Sequence, residues 1–285
     1  MKIALRCFWL LLVCSLLAVA AACGDDDGGG GGDGDGDPAD AAAAADSSPP
    51  EPDAGAVPDA MPPDLACLGN PLPTDAANPV TLSGAVIGID VASQGEPVEG
   101  AIVELRRAAN DRVLDDNAPG GTPADGTYSL TGRTAGNPLV AYLHSTADEF
   151  VTTRLYPPIP VTTDVPMVPL PMFSPLVVSF LSPDQEPDNG IIVIIVLDCS
   201  GQPIPGATVS SEPAAGEVAY ADDTGVPDSG ATSTGAQGLA YLLNVPAGPV
   251  VVSAQSGGED LLAHEVESVP EEVTATIVLP GPPSL

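Results

Sequence analysis

"GEPVEGAIVEL", residues 95–105, returns 106 residues downstream as "GQPIPGATVSS", residues 201–211. In both copies a glycine and a proline with preset φ make a turn, and a second glycine lets the chain re-enter a sheet at a tight corner. The apolar residues then alternate. Ala101, Val103 and Leu105 are expected inward with Glu104 and Arg106 facing water, and Ala207 and Val209 inward with Thr208 and Ser210 outward. The match continues outward from this turn. "DGTYSL" (125–130) corresponds to "QGLAYL" (237–242), now 112 residues apart, and "GNPLVAYLHS" (136–145) is followed in kind by "GPVVVSAQS" (248–256). The offset drifts by six residues in one loop, so the chain past residue 65 reads as two copies of one β-rich unit.

Within each copy, Tyr128 and Leu130 follow Gly126 as inward positions, and Ala240 and Leu242 follow Gly238. The run Ile191 to Leu197 is apolar at every position, the pattern of a strand covered on both faces. "VPMVPLPM" (165–172) is interrupted by prolines and is expected at a sheet edge or outside a sheet.

The pattern Gly-x-Pro-hydrophobic-x-Gly-Ala-x-Val, then Thr-x-x-x-Gly-x-aromatic-x-Leu, then a glycine leading into an apolar strand resembles the carboxypeptidase regulatory-like domain, related to Cna B-type and transthyretin-like sandwiches. The resemblance covers roughly residues 80–172 and 190–280 and implies an all-β chain with two tandem Greek-key β-sandwich domains in a binding, spacing or structural role. The expected division is a lipoprotein signal peptide at 1–22, a disordered acidic tether at 23–66, a first sandwich at 67–172, a linker at 173–189 and a second sandwich at 190–285. Some Cna B-type domains carry a lysine-to-asparagine isopeptide bond. Lys2 is the only lysine here and lies in the signal, which excludes that bond from the mature chain.

The N-terminus carries Lys2 and Arg6, then an apolar run, then Ala20, Ala21 and Ala22, the layout of a secretory signal. "LAVAAAC" (17–23) resembles a bacterial lipobox, which implies lipidation of Cys23; Ala20 departs from the usual leucine. Gly24 after the cysteine implies sorting to the outer membrane. Residues 24–64 hold twelve acids and no base, and as a Gly-rich coil of about 40 residues would span roughly 35 Å. Their "DGDGDP" places Asp33, Asp35 and Asp37 like the start of a calcium loop, but Pro38 replaces the turn glycine and Ala44 the bidentate glutamate, so no metal site is expected.

Loss of the signal takes the formal charge from -32 to -34 and leaves five arginines against 39 acids, a balance that excludes nucleic acid as a partner. Cys7 and Cys14 leave with the signal. Cys67 and Cys199 then form an even pair, either one disulfide or two buried thiols.

Catalytic motifs are missing. "HEVES" (264–268) begins like a zinc-protease helix, but Ser268 stands where the second histidine is required, and "DCSG" (198–201) is turn chemistry. No enzyme activity and no cofactor are expected. The expected function is a lipid-anchored envelope protein displaying two sandwiches for structural or protein-interaction roles, its partners the membrane and an envelope protein or glycan. Carbohydrate binding is the alternative. Trp9 leaves with the signal, so Tyr142 and Tyr156, placed outward on one sheet, are the aromatics such a platform would use.

Overall fold

The computed structural model describes residues 62–91, 95–222 and 224–283. The signal segment, Cys23 and the tether through residue 61 lie outside the described residues. The first repeat supplies β1 (Val80–Ile89), β2 (Glu96–Pro97), β3 (Ile102–Arg107), β4 (Arg112–Asp116), β5 (Thr127–Gly132), β6 (Ala141–Thr146), β7 (Thr153–Tyr156) and β8 (Val165–Phe173). Helix α1 (Pro175–Leu181) follows. The second repeat supplies β9 (Asn189–Val196), β10 (Thr208–Glu212), β11 (Glu217–Ala221), β12 (Pro227–Asp228), β13 (Leu239–Pro246), β14 (Gly248–Ser256), β15 (Glu259–Asp260), β16 (His264–Ser268) and β17 (Val273–Val278).

The repeated motif is a repeated hydrogen-bond clamp. In the first copy the Thr122 hydroxyl accepts from Ala101 N–H at 2.9 Å and donates to the Val98 carbonyl at 2.5 Å. In the second, Thr234 accepts from Ala207 N–H at 2.9 Å and donates to Ile204 at 2.6 Å. Gly126 and Gly238, four residues after each threonine, sit at φ 69° and 65° against the carbonyls of Val86 and Val196, where a Cβ would come within 2.7 Å and 2.5 Å. Both the handedness and the space require glycine there.

Three sheets result. β1 takes β5 and β2 antiparallel on one side and β8 parallel on the other. β14 takes β10 on one side and β15 followed by β16 on the other. The third sheet has nine strands in the order β12-β11-β13-β9-β17-β7-β6-β3-β4 and runs through both repeats. The join is a parallel pairing of β17 with β7, Val273 opposite Thr153 through Thr276 opposite Tyr156. The six extra residues of the second repeat fall between β10 and Thr234. There β11 leaves the position β4 holds beside β3 and pairs with β13 instead.

Edge chemistry follows this arrangement. β8 is a strand with a neighbour on one side only, β1, and its Pro166, Pro169 and Pro171 have no N–H to offer a second. β17, its counterpart in the second repeat, has a strand on both sides and no proline. β9 is also covered on both faces. Ile192, Ile194 and Val196 point into the core of the second sandwich, while Ile191 and Val193 pack against Phe173, Leu181 and Tyr241. α1 helps to cover that outer face: Ser174 caps it by accepting from Val177 N–H at 3.3 Å, Pro175 begins it, and Leu181 is buried.

Candidate functional site

Ala101, Val103 and Leu105 are fully buried in the first sandwich, as their alternation requires. The other face of the β3, β6 and β7 strands does not look onto open water. Glu104 and Arg106, expected to be solvated, are only about one-fifth exposed, and Tyr142 and Tyr156 are buried in the core of the second sandwich. Because β17 continues the sheet past β7, the second repeat comes to lie over this face.

The cross-strand register groups the side chains: Arg106 lies opposite Tyr142, Glu104 opposite His144, and His144 opposite Arg154. Arg154 is the centre of the seam. Its Nε donates to Glu272 at 2.6 Å and its Nη1 to Glu267 at 3.1 Å, both on the second repeat. Nη1 also donates to the Tyr142 hydroxyl at 3.1 Å, and the guanidinium lies 5.4 Å from the Tyr142 ring centre. Tyr142 and Tyr156 stack with centroids 4.7 Å apart and planes 12° apart.

Around this centre, the Tyr142 hydroxyl donates to Asp111, and Arg106 pairs with Glu104 at 2.7 Å and Asp111 at 2.8 Å. Burial pulls the Arg154 pKa down, but the hydrogen bond and charge of Glu272 outweigh it and hold the guanidinium charged. Burial pushes the Tyr156 phenol up to about 12. His144, 3.0 Å from Glu104, is lowered by burial and by the charge of Arg106, so it stays neutral more readily than a free imidazole.

The second histidine closes the seam at its other end. Thr276 on β17 donates to the Tyr156 carbonyl at 3.0 Å, so its oxygen accepts from His264 Nε2–H at 2.7 Å. That fixes the neutral tautomer and leaves Nδ1 buried without a hydrogen-bond partner. Burial takes the His264 pKa down to about 4, the Leu262 backbone opposing it only in part.

This constellation holds two repeats together; it does not assemble a nucleophile with a base. Among the described residues no group of three metal-ligating side chains comes together. A shallow groove of about 570 Å³ lies elsewhere, between the β2–β3 turn and residues 146–150. Val98 and Phe150 wall it and the carboxylates Glu96, Glu99, Asp148 and Glu149 rim it, with no histidine or cysteine among its lining residues. All five tyrosines are buried, and Phe180 on α1 is the one strongly exposed aromatic ring among the described residues. The platform a sugar would stack on is therefore not formed by Tyr142 and Tyr156.

Cys67 and Cys199 are joined in a disulfide, with Cα atoms 5.7 Å apart. Sequence reasoning missed Arg154, Glu267 and Glu272. The available signal was an arginine on a strand at the same parity as a tyrosine two residues on, in a chain with few cations.

No protein-family model matches the chain, and no curated protein matches it. Among solved structures, it is similar to the shaft pilin SpaA from Lactobacillus rhamnosus GG at 11% identity, covering 73% of this chain and 99% of that one with a TM-score of 0.24. The minor pilin GBS52 of Streptococcus agalactiae aligns at 9% identity over 70% of this chain and 95% of that one, TM-score 0.23. The Bacillus anthracis TIE protein aligns at 13% identity over 70% of this chain and one third of its own length, TM-score 0.23.

Proposed function

We propose that this is a non-enzymatic, lipid-anchored cell-envelope protein whose two carboxypeptidase regulatory-like sandwiches act as one stiff structural unit. The observation that carries the reading is the nine-stranded sheet running through both repeats, pinned across its junction by Arg154. Two domains joined by a linker alone would move independently; two domains sharing a sheet and a buried ion-pair seam do not. The lipobox at residues 17–23 and the acidic segment after it support attachment through Cys23, and Gly24 supports the outer membrane. Residues 24–64 carry twelve acids and no base, and the chain past Cys23 has five arginines against 39 acids, so the body is held off an anionic surface rather than drawn to it.

Fractionation of cells expressing the full chain tests the anchor. Wild-type protein is expected in the detergent phase and Cys23→Ser in the aqueous phase; equal partition of the two refutes lipid anchoring. A glycan array probed with the full mature chain tests the role. No retained glycan is expected, and selective retention of one glycan class would replace the structural reading with the carbohydrate-binding one.

A further inference from the structure

We infer that residues 64–70 form a tension clamp that fastens the N-terminal segment to the second repeat, so that a pull along the chain bypasses the backbone of the first repeat. The inference rests on the tethered reading only for the source of the pull.

In sequence, the acidic segment leads into the first repeat. In space its last residue, Asp64, meets the second repeat. Cys199 N–H donates to the Asp64 carbonyl at 2.8 Å, Asp64 N–H donates to Asp198 Oδ2 at 3.0 Å, and the Ser200 hydroxyl donates to Asp64 Oδ2 at 2.7 Å. The Cys67–Cys199 disulfide follows, and Leu65 and Leu68 pack against the core of the second sandwich. Asn70 Nδ2 donates to the Pro282 carbonyl at 3.0 Å, and Gly281 lies so close to Cys67 that a Cβ there would stand 2.2 Å from its carbonyl oxygen. Where the chain arrives from its N-terminal segment and where residues 281–282 leave are therefore side by side.

Beyond the clamp, residues 71–77 run without regular structure to the first repeat, which they meet through Ala76 N–H on Gly136 and Ala77 N–H on Thr162. β1 begins at Val80. Without the clamp, tension would reach β1 through this thinly bonded stretch and strip it from β5 and β8. With it, tension arriving at Cys67 crosses the disulfide to Cys199, three residues past the end of β9, in the middle of the nine-stranded sheet. Every strand of the first repeat lies inside the closed covalent loop of sequence separation 132 and carries none of it. The backbone of the first repeat is thus kept out of the line of pull, and the second repeat is its mount.

The test is single-molecule stretching of the full mature chain, Cys23→Ser, held by its two ends, with and without reductant. This reading does not depend on lipid attachment, so it stands or falls separately from the fractionation result. In oxidising buffer the length between Cys67 and Cys199 is expected to stay hidden at any force below rupture of the disulfide. Reductant should add about 470 Å of released length, 132 residues at ~3.6 Å each. Cys67→Ser with Cys199→Ser should give the longer length in either buffer. Equal released lengths with and without reductant, or release of the length between Cys67 and Cys199 in oxidising buffer below disulfide rupture, overturns the inference.

Discussion

His264 is where protonation is expected to loosen the fold. Its ring is neutral, donates through Nε2 to Thr276, and presents a buried Nδ1 with no partner. The pKa falls from ~6.5 in the unfolded chain to about 4 in the fold. Between those values the unfolded state binds the proton and the folded state does not. Stability contributed by this group is therefore complete above about pH 6.5 and is lost as pH falls through about 4. At ~1.4 kcal/mol per unit the full loss is about 3 kcal/mol, of which about 2 kcal/mol is gone by about pH 5. The variant His264→Gln keeps a donor near Thr276 and cannot titrate. Urea unfolding of both proteins from about pH 7.5 to 5 cancels the carboxylates they share. The wild type is expected to lose about 2 kcal/mol more than the variant over that span. Parallel stability curves would refute the buried neutral imidazole, and a wild type that gains stability on acidification would reverse its sign.

Three further substitutions probe the seam and the clamp of each repeat. Arg154→Met removes the guanidinium while keeping apolar bulk. Glu272 is then left four-fifths buried and unpaired, and the cost expected is about 2 kcal/mol, less than for a fully buried pair because Glu267 is half exposed; an unchanged urea midpoint would count against the seam. Thr122→Val and Thr234→Val each strand a buried amide N–H and carbonyl in equivalent places, and each is expected to cost about 1–3 kcal/mol. Hydrogen exchange should localise the first loss to residues near Ala101 and the second to those near Ala207; a loss confined to neither would show that the two clamps are not equivalent.

What was legible in the sequence is what local geometry imposes. Gly126 and Gly238, Thr122 and Thr234, and the alternation through Ala101, Val103 and Leu105 recur because a corner closed by one hydroxyl and one left-handed glycine admits few other residues. The prolines of β8 restrict it to a sheet edge or to a place outside a sheet, since a residue without an N–H cannot donate to a second strand, and the pairing with β1 alone makes it an edge. The unbroken apolar run of β9 likewise declared two covers, though not which parts of the molecule supply them.

The remainder depended on which surfaces meet. A period of two places Glu104, Tyr142 and Arg154 on one face and says nothing about what lies beyond it, so outward was read as wet. Pairing of β17 with β7 turned that face into an interior, and Arg154 then found Glu267 and Glu272 at sequence separations of 113 and 118. The return of residues 64–70 to Cys199 and Pro282 is of the same kind. The sequence by itself determined two copies of one sandwich, their corners and their blunted edge, because those are properties of a strand and its turn. Only the tertiary structure decided that the copies share a sheet and hang from the second, because contact between distant segments is chosen by the packing of whole surfaces.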